Sequence, residues 1–181
     1  MDKILLINKE KGYTSRDVVN KISKHFNERK VGHFGTLDPL ATGLLVIGMG
    51  AYTKLGNLLS DESKCYIATV LVGKSTDTYD ITGNTLSISD DRISLDEIIS
   101  ALDSFKGTYN QEVPIYSAVK VNGKKLYEYA RESNSVDLPR RDVTIYDISF
   151  INTYEKDGNQ YFTFFCHVSK GTYIRSLIND I

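Results

Sequence analysis

The segment from Val31 to Gly43, VGHFGTLDPLATG, is the part of this sequence best suited to chemistry. It places one carboxylate, that of Asp38, on a loop with Gly35 before it and Gly43 after it. Pro39 follows directly, removes a backbone donor and disfavours the α conformation at Asp38. The glycines allow a tight turn or a close approach to a ligand. The loop is therefore predicted to be stiff and to present a single acid, although an Asp-Pro turn without any reactive role has the same pattern.

A single carboxylate limits the reactions that this loop could support. Carboxylate-based glycoside hydrolases usually need two acids about 5–10 Å apart, and the Asp38 loop contains only one. The other polar groups of the segment are His33, five residues before the acid, and the hydroxyls of Thr36 and Thr42. A glycoside hydrolase stays an alternative that fits the loop poorly.

Helices and strands alternate irregularly around this loop. Because the last two strands form a hairpin through Asp157-Gly158, and Asn122-Gly123 predicts another tight turn, at least part of the sheet is antiparallel. The pattern favours an α+β fold, with a mixed or antiparallel sheet and helices on its faces, over a doubly wound parallel sheet. The predicted strands and apolar stretches cover residues 3–8, 44–47, 66–72, 116–121, 143–154 and 160–169, and residues 74–83 are predicted to be a polar, turn-rich loop.

Two of the predicted helices have capping signals. Ser15 is predicted to cap the first, and Ser94 with Glu97 forms a capping box for a later one. Further helices are predicted over residues 53–59 and 125–132 and from Thr172 onward. The apolar faces that follow from helical spacing are Val18, Val19, Ile22 and Phe26 in the first helix, and Leu95, Ile98, Ile99, Leu102 and Phe105 in the capped later one.

The composition is that of an ordinary globular domain. The chain has 181 residues, of which 41% are hydrophobic, so it is predicted to form one domain with a core of its own. The sequence shows no secretory signal and no run of about 18 apolar residues, and a cytoplasmic location is expected. Cys65 and Cys166 are predicted to be buried, reduced thiols. With three scattered histidines and no C-x-x-C motif, neither a metal nor a redox cofactor is expected.

The charge is unevenly distributed along the chain. The formal net charge is −1, but the first 60 residues hold nine Lys or Arg against five Asp or Glu. A second basic cluster contains Lys120, Lys124, Lys125 and Arg131, and the acids collect around Asp90–Asp103. Such basic regions suit a phosphate backbone, and they equally suit a solvated surface of mixed charge.

The Asp38 loop resembles the signature of the TruB-type tRNA pseudouridine synthases, in which the Asp of GTLDPLATG is the catalytic nucleophile. The resemblance implies a pseudouridine synthase fold with a central RNA-binding cleft, and isomerisation of uridine 55 in the T-arm of tRNA after base flipping. Six further blocks match in order: KGYTS (11–15), KCYIATVLVG (64–73), STDTYDITG (75–83), YSAVK (116–120), GKKLYEYAR (123–131) and SKGTYIR (169–175).

The resemblance also implies roles for the residues nearest the reaction. Asp38 would be the nucleophile, acting either by attack on C1′ of the sugar or through a glycal. Tyr66 would stack on the flipped uracil and help to move a proton. Arg175 would pair with Asp38 and keep it ionised. Asp80 would join this pair, with Asp77 as the competing assignment.

Other residues would contact the RNA. His33 would fill the stack that the flipped base leaves, and Tyr173 would pack against the bound base. Lys9, Lys11 and Lys64 are candidates for phosphate contacts, as any exposed lysine would be. The implied partner is the tRNA T-arm, without an obligate protein partner.

Three departures from the family pattern stand out. Glu10 occupies the place of a proline in the K-P-x-G motif, and Val113 replaces the first proline of P-P-x-Y-S-A. The chain also ends at Ile181, inside a predicted helix, whereas the family continues with the rest of the catalytic domain and a PUA-like RNA-binding domain. Residues 1–181 are therefore expected to be a catalytic domain that is incomplete at its C-terminal end and lacks a leucine that contacts the base.

The sequence leaves alternatives to a stand-alone synthase. A shortened chain could bind the T-loop without turnover, because its pocket would be open on one side. A guide-RNA-dependent relative with protein partners is another possibility. The PLATG end of the Asp38 loop looks more like the stand-alone bacterial type.

Overall fold

A computed structural model describes residues 2–60 and 63–181, and the chain forms two compact units, Met1–Glu62 and Ser63–Ile181. The first unit contains strands β1 (Lys3–Lys9), β2 (Val31–His33) and β3 (Gly43–Met49), helix α1 (Ser15–Phe26), a 3₁₀ helix (Gly50–Leu55) and the short helix α2 (Gly56–Ser60). The predicted helix over residues 53–59 is confirmed, with three residues added at its start.

The sheet of the first unit fixes both ends of the Asp38 loop. Its strand order is β1–β3–β2, and both pairings are antiparallel. Helix α1 covers one face, where Val18 and Val19 pack with Leu45 and Ile47 of β3. The Asp38 loop connects β2 to β3, two hydrogen-bonded neighbours, so the loop leaves and re-enters the same sheet.

Helix α1 is capped by Thr14, so the prediction of Ser15 as the cap is wrong. The Thr14 hydroxyl accepts a hydrogen bond from the Asp17 N–H at 3.1 Å, and the Asp17 carboxylate accepts one from the Thr14 N–H at 2.9 Å. Thr14 has extended backbone angles, and Asp17 at the third helical position completes a capping box. Ser15 is buried and is free for a different contact, described below.

The second unit is built around a larger antiparallel sheet of order β4–β11–β10–β7. Its strands are β4 (Lys64–Leu71), β7 (Gly107–Glu112), β10 (Arg140–Lys156) and β11 (Asn159–Val168), with the small pairs β5 (Lys74–Thr76) and β6 (Thr85–Ile88), and β8 (Lys120–Val121) and β9 (Lys124–Lys125). Its helices are α3 (Leu95–Ser104), α4 (Leu126–Arg131) and α5 (Ile174–Asp180).

The core of the second unit lies on one face of this sheet. Ile98 and Leu102 of α3 and Leu177 of α5 pack against Phe162 and Phe164 of β11, and all five are almost completely buried. The side chains of a strand alternate between faces, so the residues between these phenylalanines lie on the opposite face. The predicted α+β class with mainly antiparallel pairing is confirmed.

Both predicted tight turns are confirmed. Asp157 (φ 52°) and Gly158 (φ 76°) join β10 to β11, and Asn122 (φ 51°) and Gly123 (φ 80°) join β8 to β9. Two successive left-handed residues match the right-handed twist of a hairpin, and Asn-Gly and Asp-Gly are the sequences that adopt them most readily.

The prediction of a strand over residues 116–121 is wrong except for β8. The Leu126 N–H donates to the carbonyl of Val119, and the Tyr127 N–H donates to that of Ser117. The start of α4 therefore uses the backbone groups that a longer strand would have paired, and residues 115–118 bend instead.

Three other expectations need correction. Within the predicted loop 74–83, the first three residues form β5. Leu95 and Ile99 of α3 are exposed, so the apolar face of this helix is narrower than predicted. Cys65 is exposed, because it lies on the face of β4 opposite the core, whereas Cys166 is buried as predicted and burial raises its thiol pKa to about 12.

Within residues 2–60 and 63–181, no helix combines the length and the apolar character that crossing a membrane requires.

The register pair Gly32 and Gly48 provides a test of packing beside the Asp38 loop. A Cβ on Gly48 would lie 2.3 Å from the ring of Phe34, which is buried, and 3.0 Å from the carbonyl oxygen of Tyr52. A Cβ on Gly32 would meet nothing closer than 4.0 Å. We expect Gly48→Ala to lower the free energy of unfolding by about 1–3 kcal/mol through overpacking, and Gly32→Ala to change it by less than about 0.5 kcal/mol. Urea unfolding followed by circular dichroism measures both, and equal effects would contradict this packing.

Candidate active site

The Asp38 loop is held by the segment that precedes α1. The Ser15 hydroxyl accepts a hydrogen bond from the Leu37 N–H at 3.0 Å and lies 3.3 Å from the Leu37 carbonyl oxygen, to which it donates. On the other side of the acid, the Gly12 N–H donates to the Pro39 carbonyl at 2.8 Å. Both residues that flank Asp38 are therefore fixed through their backbone, and the loop that carries the carboxylate has little freedom to move.

Lys9 reinforces the same loop from the end of β1. Its side chain is only 1% exposed, and its ammonium donates to the carbonyls of Tyr13 (2.6 Å), Glu10 (3.1 Å) and Pro39 (3.3 Å). Burial lowers the Lys9 pKa, and the charge of Asp38 opposes that shift. The prediction that Lys9 contacts phosphate does not fit this placement, because its three donors already bind the protein backbone.

His33 lies at the end of β2, just before the loop. Its Nδ1 is 2.6 Å from the Gly35 carbonyl, which can only accept, so Nδ1 carries the proton and donates. The half-buried ring is thereby fixed in orientation. Gly35 (φ 131°) and Gly43 (φ 115°) both adopt angles that favour glycine, as the sequence predicts for a tightly turned loop.

In the second unit, Tyr66 and Lys64 lie on β4. Tyr66 is half-buried on the core face of the strand, beside Cys166 in register, and it packs against the hydrophobic core. Lys64 is half-buried at the start of the strand. The structure therefore gives Tyr66 a firmly supported ring with part of its surface accessible.

The loop between β5 and β6 carries both candidate aspartates. Asp80 accepts from the N–H (3.1 Å) and the hydroxyl (2.9 Å) of Thr82 through a single oxygen, Oδ1. Asp77 uses both of its oxygens on Asn84, at 2.8 Å to the N–H and 2.9 Å to the side-chain amide. Asp77 thus closes the hairpin, and Asp80 is the better candidate for a functional acid.

Tyr79, directly before Asp80, has a left-handed backbone at φ 57°. This conformation is unusual for an aromatic residue and costs about 1–3 kcal/mol. The Tyr79 hydroxyl donates to Glu112 of β7 at 3.2 Å, which helps to hold the residue there. The strain therefore lies next to the acid that the loop presents.

Arg175 joins this loop to the start of α5. Its Nη1 donates to the Thr78 carbonyl at 3.0 Å and its Nη2 to the Tyr116 carbonyl at 3.1 Å. Tyr173 immediately precedes α5, and the guanidinium of Arg141 lies over its ring, 5.4 Å from the centroid. The structure thus brings Arg175, Tyr173 and the Asp80 loop together within one unit.

The sequence did not reveal which residues hold the candidate site residues in place. These are Ser15, Tyr79, Gln111 and Arg141. Ser15 and Tyr79 lie inside matched blocks, but the pattern alone did not indicate which atoms they contact. Gln111 and Arg141 lie outside every matched block, and nothing in their local sequence marks them. Over the described parts of the chain, no group of three or more His, Cys, Asp or Glu side chains is arranged to hold a metal ion.

The family model of the TruB family pseudouridylate synthases, N-terminal domain, matches residues 23–174 of this chain. Curated relatives are named tRNA pseudouridine synthase B. The one from Clostridium novyi is 49% identical over 181 residues, which are all of this chain and 61% of the relative. Those from Lactobacillus acidophilus (100% of this chain, 63% of the relative) and Staphylococcus aureus (98% and 60%) are each 45% identical. The chain thus spans about three fifths of the length of these relatives.

Solved structures support the fold. A Cbf5-Nop10-Gar1 complex contains a chain that is 29% identical with a TM-score of 0.68, and it covers 97% of this chain and 42% of that one. An H/ACA RNP bound to a substrate RNA containing 2′-deoxyuridine contains a chain that is 25% identical with a TM-score of 0.67, covering 97% and 40%.

Replacing Lys9 tests whether its ammonium holds the Asp38 loop. Lys9→Met removes the donor shared by three carbonyls, and we expect the free energy of unfolding to fall by about 1–3 kcal/mol. Lys11→Met is the control, because Lys11 is exposed, and it is expected to stay within about 0.5 kcal/mol. Urea denaturation measures the free energy of unfolding of both variants. A Lys9 variant as stable as the control would show that the hydrogen bonds of the Lys9 ammonium do not contribute to stability.

Proposed function

Because this chain belongs to the TruB family of pseudouridylate synthases, we propose that it isomerises uridine to pseudouridine in tRNA, at position 55 of the T-arm. The observation that carries this proposal is the position of Asp38, the one acid of a loop whose backbone is fixed on both sides, inside the stretch that the family model matches. The match covers residues of both units, and we propose that the two units belong to one catalytic domain.

The proposed reaction exchanges one bond of the sugar for another. The bond between C1′ and N1 breaks, the base turns, and a bond from C1′ to C5 forms. The proton on C5 leaves, and N1 gains one, so the product is an isomer of the substrate. A stacked base cannot turn in this way, so the uridine must be flipped out of the RNA. Nothing in this sequence of steps requires a metal or a redox cofactor.

Asp38 is the proposed nucleophile. A carboxylate can attack C1′ and later leave, and it can equally assist a route through a glycal. Its fixed loop suits either, because a preorganised group loses little freedom in reaching the sugar. The pairing of Arg175 with Asp38 and the participation of Asp80 are further parts of the proposal. The contact of Arg175 with the Thr78 carbonyl, in the loop that carries Asp80, supports the second of these.

The proposed RNA contacts use planar and cationic side chains. Tyr66 and Tyr173 would pack against the flipped base, since each ring is held by its surroundings and is partly accessible. His33 would fill the vacated stack, and Lys64 and Lys11 would contact phosphates. Lys9 is omitted because it is buried.

We propose a stand-alone enzyme rather than a guide-dependent one. The curated bacterial relatives are 43–49% identical to this chain, whereas the chains in the H/ACA RNP and the Cbf5-Nop10-Gar1 complex are 25% and 29% identical. A tRNA substrate also fits a cytoplasmic location. Activity on a T-arm stem-loop without added RNA or protein would support this form of the proposal, and a requirement for either would contradict it.

The first test is the substitution Asp38→Asn. The amide keeps the shape of the carboxyl group and removes its charge and nucleophilicity, so we expect the fold and RNA binding to persist and turnover to vanish. Release of tritium from C5-labelled uridine in a T-arm stem-loop measures turnover, and gel-shift titration measures binding. Turnover equal to that of the parent would end the assignment. Binding without turnover in the parent chain itself would instead favour an RNA-binding function.

The second test separates the two aspartates of the β5–β6 loop. Asp80→Asn keeps an oxygen that can accept from Thr82, so we expect an intact loop and a turnover lowered about tenfold or more. Asp77→Asn keeps one acceptor for Asn84, and we expect less than about a threefold loss of turnover together with a small loss of stability. Tritium release and thermal melting of the two variants are compared, and the reverse order of activities would reassign the role to Asp77.

A further inference from the structure

Gln111 of β7 makes an unusual set of contacts with the residue before α5. Its side chain is completely buried. The side-chain oxygen accepts from the Tyr173 N–H at 2.8 Å, and the side-chain nitrogen donates to the Tyr173 carbonyl at 3.1 Å. This is the paired exchange of hydrogen bonds that a residue of a neighbouring strand would make. The Gln111 side-chain amide thus binds the backbone of Tyr173 as a neighbouring strand would, although Tyr173 is not part of the sheet.

The same amide is linked to the far end of α5. Its nitrogen also donates to the hydroxyl of Tyr109, and that hydroxyl is in turn hydrogen-bonded to the carboxylate of Asp180. Gln111 therefore binds Tyr173, before α5, directly. It is linked to Asp180, at the end of α5, through the side chain of Tyr109. In this buried setting each polar group needs its partner, so the network specifies one arrangement.

The residue before α5 does not cap this helix with its own side chain. Tyr173 has an extended backbone, and its own side chain makes no capping hydrogen bond. Arg175 follows two residues later, and its guanidinium must be placed accurately to donate to both Thr78 and Tyr116. A small shift of Tyr173 would move the base of the Arg175 side chain by a similar distance.

We propose that Gln111 is a positioning residue for the isomerisation, because it fixes Tyr173 and thereby sets the position of Arg175. This inference rests on the proposed function. Gln111 makes no proposed contact with the RNA and acts through Tyr173 and Arg175, to which the proposed function gives roles in base binding and catalysis. Displacements of about 1 Å in a site can cost about 100-fold in rate. The larger effect is therefore expected in the chemical step, because Tyr173 is only one of several proposed RNA contacts.

Gln160 provides a matched control within the same unit. Its side-chain oxygen accepts from the Ile93 N–H at 3.0 Å, and its nitrogen donates to the Ile93 carbonyl at 2.8 Å. This pair holds the segment before α3, which carries none of the proposed catalytic residues. Gln160 therefore makes the same type of contact without the proposed function.

The experiment compares Gln111→Met, Gln111→Glu and Gln160→Met in the full chain. Single-turnover tritium release at saturating T-arm RNA gives the chemical rate, gel-shift titration gives the affinity, and thermal melting gives the temperature at which all variants are folded. We expect Gln111→Met to react about tenfold or more slowly, with a smaller loss of affinity, of about threefold or less. Gln111→Glu keeps the acceptor for the Tyr173 N–H, and burial favours a protonated carboxyl group that can still donate to the Tyr173 carbonyl, so its rate should fall between those of the parent and Gln111→Met. Gln160→Met should keep the parent rate within about threefold.

A second measurement does not depend on turnover. In nitrogen-15 spectra, a guanidinium held by two hydrogen bonds shows separate, slowly exchanging Nη signals, and Arg175→Lys identifies those of Arg175. We expect these signals to merge in Gln111→Met and to persist in Gln160→Met. If the parent forms no pseudouridine, the proposed isomerisation fails and these signals alone decide whether Gln111 holds Arg175. Equal chemical rates for the two Met variants in an active parent, or unchanged Arg175 signals, would overturn the inference.

Discussion

The backbone of an irregular loop must find hydrogen-bond partners outside regular secondary structure, and this requirement shapes both units of the protein. The Asp38 loop obtains them from the segment between β1 and α1. The Pro39 carbonyl receives both the Gly12 N–H and the Lys9 ammonium, and Leu37 exchanges hydrogen bonds with the Ser15 hydroxyl. Without these partners the backbone groups of the loop would have only water to bind, and the loop would have no single conformation. The position of the candidate nucleophile thus depends on contacts that Lys9, Gly12 and Ser15 make with the backbone of its loop.

In the second unit, a neutral side chain supplies hydrogen bonds to irregular backbone. Gln111 satisfies the backbone of Tyr173 as Lys9 satisfies that of the Asp38 loop, and both are buried polar residues at the end of a strand. The two differ in electrostatic cost. An amide carries no charge and is buried cheaply once it is paired, whereas burial of the Lys9 ammonium lowers its pKa and the nearby Asp38 charge offsets part of that cost. The Lys9 cation lies where the charge of Asp38 offsets part of its burial cost, whereas the neutral Gln111 amide needs no such compensation.

Local signals predicted local structure well and long-range contacts poorly. The Ser94 capping box and the Asn122-Gly123 turn depend on residues within a few positions of each other, and both were predicted from the sequence. The burial of Lys9 depends on Pro39, 30 residues away, and an exposed lysine has the same local pattern. The strand predicted over residues 116–121 failed at a shorter range, because the start of α4, seven to ten residues later, takes its backbone groups. For the candidate site, the matched blocks gave the residues that could react, and the structure added those that hold them.

Glu10 and Val113 stand where the family pattern has proline, and the backbone contacts at the two positions explain why another residue fits. At Glu10 the structure uses only the carbonyl, which accepts from Lys9, and the side chain is exposed. Any residue supplies that carbonyl, so a glutamate costs little beyond the extra freedom of the unfolded chain, about 0.4–1 kcal/mol. At Val113 the N–H donates to the Pro139 carbonyl at 2.9 Å, a hydrogen bond that proline cannot make, and the side chain is buried. Glu10 is tolerated because its contact with Lys9 uses only a backbone carbonyl. Val113 gains a hydrogen bond to the Pro139 carbonyl that a proline at this position could not make.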